Sequence, residues 1–238
     1  FVGCDVARGL GYCYNGTAVD GSGDVMAYGD QPPAIGVDFF QGPYLDPDGL
    51  DNPRYDPVVD GATGDTSYVQ RCDVSINGVN FGNNIIDDER YGMRRFVYYN
   101  NSQGATGEPD NAPDYYNYLR GIWKDGTRMQ YGGTGHISGQ GTVGPDCDFM
   151  FPGDSDPCNW GTGGQQPNGG FNQDGFYWTE ETGDDGSPNP PADRRFMQSA
   201  GPFTLKPGAV NYITVGIPWA RAQAGGPFAS VEKLRVVD

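Results

Sequence analysis

The 238-residue chain carries 31 acidic against 15 basic residues, a formal net charge of −16, so it repels phosphate backbones and anionic lipid surfaces and expects neither nucleic acid nor a membrane as partner. Its 39 Gly and 19 Pro approach a low-complexity composition, yet 4 Trp, 15 Tyr and 12 Phe are spread through it, more than a disordered chain carries, and the length suits one large all-β domain over residues 1–238. No apolar run approaches the ~18 residues that a membrane-spanning helix needs.

Phe1 to Tyr14 is a short apolar segment, readable as a strand or a helical turn, and a Gly/Asp-rich loop follows to Asp30. Ala34 to Phe40 (AIGVDFF) predicts a buried strand, whereas GPYLDPDGLDNPRYDP after it is too rich in Pro and Gly for a regular ladder. Between Tyr68 and Ile86 short β-like pieces alternate with Asn-Gly turns, and Arg94 to Tyr99 (RRFVYY) is the next predicted strand. Tyr115, Leu119, Ile122 and Trp123, after a cap at Asp114, predict a short helix that Asp125-Gly126 ends. Residues 131–147 and 161–175 read as Gly-rich connectors.

The clearest core pattern lies in Asp193 to Ala220, which predicts two strands and a turn around which the chain is organised. Ile213, Val215, Ile217 and Trp219 share one face at a period of two, Lys206-Pro207-Gly208-Ala209 has the residue order of a type II turn, and Phe203 and Leu205 are expected on the same core. Val231, Leu234 and Arg235 near the end of the chain suit the start of a helix. Together these elements predict a mainly β fold: sandwich-like antiparallel sheets with long Gly/Asp/Pro-rich loops and one or two short helices.

The five cysteines are too far apart for a zinc ribbon or a CxxC motif. Cys4 with Cys13 and Cys147 with Cys158 could each close a short loop, leaving Cys72 over; the alternative is buried free thiols in a reducing compartment. The start at Phe1, without a signal-like segment, reads as a processed piece of a longer secreted protein.

Asp46-Pro47-Asp48-Gly49-Leu50-Asp51-Asn52 places acids at alternating positions around a glycine, an arrangement that can converge on Ca²⁺ through Asp46, Asp48 and an oxygen of Leu50, Asp51 or Asn52. It resembles the DxDGxD calcium loops of thrombospondin type 3 and EF-hand-like repeats, without the Glu that closes an EF-hand loop. Asn77 to Glu89 is similar to a dockerin-type calcium loop, with Asn80, Asn84 and Asp87 as candidate ligands, and Asp154 with Asp156 forms a third acidic pair. Each has a plainer reading as a solvated or Pro-held turn.

Catalytic chemistry is sparse. His136 is the only histidine, there is no GxSxG elbow or phosphate loop, and the His136 loop (GGTGHISGQG) reads as structural. Glu180 and Glu181 beside Trp178 could serve a glycosidase, but neighbouring strand residues point to opposite faces, and a solvated edge is the simpler expectation.

DRRFMQSA and GPFTLKPGAVNYITVGIPWA, with INGVNFGNNIIDDERYGMRRF, YYNYLRGIWKDG and DFMFPGDSDP, resemble segments of large secreted proteins of Bacteroidota exported by the type IX secretion system. That resemblance implies an extracellular or cell-surface location, further domains of the same polypeptide, disulfides and external calcium; it implies no catalysis. The resulting expectation is a calcium-stabilised structural or adhesive module whose partners are other domains of its own polypeptide, surface proteins or glycans. A carbohydrate-binding or carbohydrate-cleaving module, and a subunit of a filament or surface layer, are the alternatives.

Overall fold

The apolar N-terminal segment forms two strands, β1 (Val2–Asp5) and β2 (Leu10–Tyr14), closed by a turn in which Gly9 N–H donates to Asp5 O over 2.9 Å. The structure is a computed structural model that describes residues 1–21, 23–71, 76–158, 175–183 and 186–238. Among these residues the chain is mainly β, with antiparallel sheets and two short helices. After β2 come the small ribbon β3 (Val19–Asp20) and β4 (Gly29–Asp30), then β5 (Ala34–Gln41), the strand expected from AIGVDFF.

β6 (Tyr55–Val59) and β7 (Thr66–Gln70) make a hairpin whose residues are exposed along almost its whole length. β8 (Arg95–Tyr99), α1 (Ala112–Leu119), β9 (Gln130–Gly132) and β10 (Thr142–Asp146) follow, then β11 (Arg195–Ser199), β12 (Thr214–Gly216), β13 (Trp219–Ala220) and α2 (Ala229–Val237). The main sheet runs β1-β2-β5-β12, with β13 also paired to β5.

The strand period sorts side chains onto two faces of this sheet. Leu10, Tyr12, Tyr14 and Ala34 point to one face and meet Val231 and Leu234 of α2. The approach is close because Gly36 carries no side chain: a Cβ there would lie 2.5 Å from Leu10 Cδ1 and 3.2 Å from Leu234 Cδ2. Val2 and Cys4 point the other way, into a larger core with Phe96, Trp123, Phe149 and Trp178.

That second face is covered by the β8–β11 pair, which makes the two-layered, sandwich-like arrangement. Phe96 and Phe196 stack at 5.0 Å over Gly11, where a Cβ would clash with Gln198 at 2.2 Å, and Gln198 Nε2 donates to Val37 O over 3.0 Å. Both core indoles are matched: the N–H of Trp123 donates to Gly135 O over 2.7 Å and that of Trp178 to Gly133 O over 3.2 Å.

Of the stretch expected to organise the fold, β11 belongs to the second layer, whereas the apolar row 213–219 lies at the margin. β11 pairs with β8, and β12 and β13 pair with β5, so the two strands of 193–220 do not form a hairpin with each other. Trp219 is 52% exposed and Val215 47%, and Ile213, Ile217 and Leu205 are exposed too. The turn itself forms, with Ala209 N–H donating to Lys206 O over 2.9 Å. An alternating apolar pattern says that one face is apolar, and β12 sits at the sheet edge beyond the reach of the second layer.

Three smaller expectations change. Asn111, not Asp114, caps α1: its side chain accepts from Asp114 N–H, and Asp114 and Tyr118 are buried while Tyr115 and Leu119 are exposed. Residues 131–147 contain strands, since β9 and β10 pair, whereas 161–174 lie outside the described residues. Neither local disulfide forms: Cys4, Cys13 and Cys147 are free.

The β1–β2 register sets Cys4 opposite Gly11 and Cys13 opposite Val2, a diagonal whose ~7–8 Å separation exceeds a disulfide's reach. Cys158 is disulfide-bonded, and Cys72 lies outside the described residues.

Candidate functional site

The two acidic loops that read as separate calcium sites are folded onto each other. A bridge between Tyr44 and Arg90, and another between Val79 and Arg90, bring residues 44–52 alongside 77–90. Arg90 is buried here; its guanidinium stacks on the Tyr44 ring at 4.0 Å and donates to Gly42 O at 3.1 Å and Tyr212 O at 3.2 Å.

Within this frame the carboxylates are exchanged. Asp51 accepts from the N–H groups of Gly82, Asn83 and Asn84 at 2.9, 3.3 and 2.6 Å, while Asp87 accepts from those of Asp48 and Gly49 at 2.8 and 2.9 Å. Leu50 contributes its carbonyl, which accepts from Asp87 N–H at 3.1 Å. Asp48 accepts from Leu50 N–H at 2.9 Å and from the Asn52 amide at 3.2 Å, and the buried Glu89 accepts from Asn52 N–H.

Asn80, Asn84 and Asp87 have φ of 72°, 69° and 59°, a left-handed backbone that Asn and Asp tolerate better than other side-chain-bearing residues. Asn80 donates from its amide to Asp88 O at 2.9 Å. The Asn-rich composition of this loop is thereby explained by backbone shape.

Asp46 lies apart from the exchange and accepts from Thr204 N–H and Oγ1–H, both at 2.7 Å. These two bonds, with Lys206 nearby, hold its carboxyl below the usual carboxylate range. Asp154 and Asp156 diverge, the first exposed and the second buried, where Asp156 accepts from Cys158 N–H at 2.8 Å. Ser155 between them plugs the β1–β2 turn, accepting from Val6 N–H at 3.0 Å. Among the described residues no three or more His, Cys, Asp or Glu side chains gather as a metal-holding group.

His136 is held by side chains. Nε2 lies 2.9 Å from Asp125 Oδ2 and Nδ1 lies 2.8 Å from Ser138 Oγ. Ser138 N–H also donates to Nδ1 at 3.2 Å, which assigns the proton to Nε2 and points it at Asp125. Burial opposes ionisation of Asp125, but bonds from Thr127 and His136 outweigh it and keep its carboxyl below the usual value. The serine sits two residues from the histidine on the same turn, so this constellation braces a loop.

Glu180 is not a solvated edge. It is 1% exposed, accepts from Arg194 Nε at 2.9 Å and from Val2 N–H at 2.9 Å, and neighbours the fully buried Trp178. Sequence reasoning missed both this ion pair and the buried Arg90, because each joins segments distant in the chain. Comparison with protein-family models, with curated proteins and with solved structures finds no match to this chain.

Proposed function

We propose that this chain is a non-catalytic structural and adhesive module of an extracellular or cell-surface protein, whose loops 46–52 and 77–89 are braced by calcium. The observation that carries the reading is the reciprocal exchange of Asp51 and Asp87 between the two loops. It lays the loop of Asp48 and Asp51 alongside that of Asp87 and Asp88 in a chain of charge −16, where like charges repel and a divalent cation offsets them.

Asp88 Oδ1 is buried without a hydrogen-bond partner among the described residues. A calcium shell also draws on carbonyl and Asn oxygens, which this loop pair supplies. The disulfide at Cys158 suits an oxidising compartment, as does the resemblance to secreted Bacteroidota proteins. His136 and Glu180, the residues best suited to catalysis by type, are both engaged in bracing the fold.

Calorimetric titration and melting, with and without EDTA, test the calcium part. Calcium is expected to raise the melting temperature of the native chain and of Asp154→Ala, but not of Asp48→Ala combined with Asp88→Ala. No heat and no shift in the native chain would overturn it.

A second reading, a subunit that assembles with its own copies, draws on the exposed row Ile213, Val215 and Ile217 at the β12 edge. Concentration-dependent sedimentation that Val215→Lys abolishes would support it.

A further inference from the structure

Beyond the loop clasp, the main sheet carries a concave site at the end where β13 joins it. Cys13, Ile35 and Trp219 lie side by side on β2, β5 and β13, because Cys13 pairs with Ile35 and Ile35 with Trp219. They line one side of a cavity of about 500 Å³, within the usual size of ligand sites. Its rim carries Pro33, Pro191 and the half-exposed Tyr28. Tyr28 is placed by Arg221, which donates from Nη2 to the carbonyls of Tyr28 and Asp30, each at 2.8 Å, and from Nε to Gln31 O at 2.8 Å.

Of the polar side chains lining this cavity, Arg194 is held by Glu180 at 2.9 Å and by Pro190 O at 2.8 Å, whereas Asn15 and Asp20 are each half used. Asn15 Oδ1 accepts from Thr17, so its amide N–H₂ remains, and Asp20 Oδ2 accepts from Tyr28 N–H, so Oδ1 remains. Among the described residues the Trp219 indole N–H has no hydrogen-bond partner. A largely apolar lining with a flat, accessible indole, whose border includes an amide donor, a carboxylate acceptor, an indole donor and the Arg194 guanidinium, matches a ring with C–H groups on its face and hydroxyls on its edge. The net charge of −16 disfavours an anionic occupant.

We propose that this cavity binds a neutral carbohydrate, with one sugar ring stacked on Trp219, Tyr28 forming part of the wall, and ring hydroxyls bonded to Asp20 and Asn15. It gives the adhesive reading above its partner, a hydroxyl-rich glycan, and rests on that reading only in being non-catalytic.

Affinity electrophoresis of the full chain in gels containing hydroxyethylcellulose, xyloglucan, galactomannan or soluble starch tests it, with quenching of tryptophan fluorescence as a second readout. At least one polysaccharide is expected to retard the native chain. Trp219→Ala and Tyr28→Ala, in separate segments and half-exposed, are each expected to weaken binding at least tenfold with little change in the melting temperature.

Absence of retardation by every polysaccharide, or retardation that both variants retain, would overturn the site. Self-association that Trp219→Ala abolishes, with no polysaccharide bound, would assign the surface to a second copy and also overturn it. Retardation accompanied by release of reducing sugar would keep the site and sink the non-catalytic reading. Loss of the calcium response alone would leave the carbohydrate site standing.

Discussion

Asp51 and Asp87 are reciprocal anchors: each carboxylate accepts backbone N–H groups from the loop that carries the other. Both are partly or fully exposed, so water replaces some of what a truncation removes. Asp51→Ala and Asp87→Ala are expected to cost about 1 to 2 kcal/mol each. The double variant should cost less than the sum by at least about 0.5 kcal/mol, because the first loss already frees the partner loop. Urea denaturation of the four proteins measures this, and strict additivity would show that the anchors act independently.

Asp38 lies buried on β5, and burial foremost, with the Asp238 carboxylate next, pushes its carboxyl from an ordinary 3.8 up to about 7. Between those values the folded chain holds a proton that the unfolded chain has released. Stability from this group is therefore complete below about pH 4 and is lost as pH rises through about 7. The stability of the native chain relative to Asp38→Asn is expected to fall by about 2 to 4 kcal/mol from pH 4 to pH 8. Parallel stability profiles for the two proteins would refute the assignment.

Trp219 and Trp123 separate an accessible indole from a core one. Trp123 is fully buried and its N–H donates to Gly135 O over 2.7 Å, so Trp123→Ala is expected to cost about 3 to 5 kcal/mol. Trp219→Ala should cost under about 1 kcal/mol. Thermal melting of both variants is the check, and a large loss for Trp219 would return the 213–219 face to the interior.

The two buried free thiols, Cys4 and Cys147, should be silent in the folded chain. Cys4 and Cys147 are buried, and burial first, then neighbouring Asp charges, raises both thiols well above their usual range. Cys13 is raised by burial as well but is partly accessible. Alkylation at pH 8 should label Cys13 slowly and leave Cys4 and Cys147 unmodified until denaturant is added. Rapid native labelling of Cys4 would show that β1 opens readily.

The sequence made local features readable and left their partnerships hidden. AIGVDFF, RRFVYY and the Val231-Leu234 helix were readable because burial of one face leaves a period in the chain. The type II turn at 206–209 was readable because Pro and Gly fix it locally, yet the strands beside it pair elsewhere, with β8 and β5. Glu180 with Arg194 left no local trace, since an ion pair between distant residues has no spacing rule. In the acidic loops Asn80 and Asn84 are accounted for by left-handed backbone, and Asp51 and Asp87 by amides across the clasp, a pairing between loops that no spacing within either one announces.

The β6–β7 hairpin touches neither core, and its tip is closed internally, with Asp60 accepting from Ala62 N–H at 2.7 Å and Thr63 N–H at 3.2 Å. A two-stranded ribbon so placed is a tolerant port for grafted sequence: an epitope, a protease site or a whole folded cargo spliced at 61–64 would be displayed on a stalk, clear of the sheets.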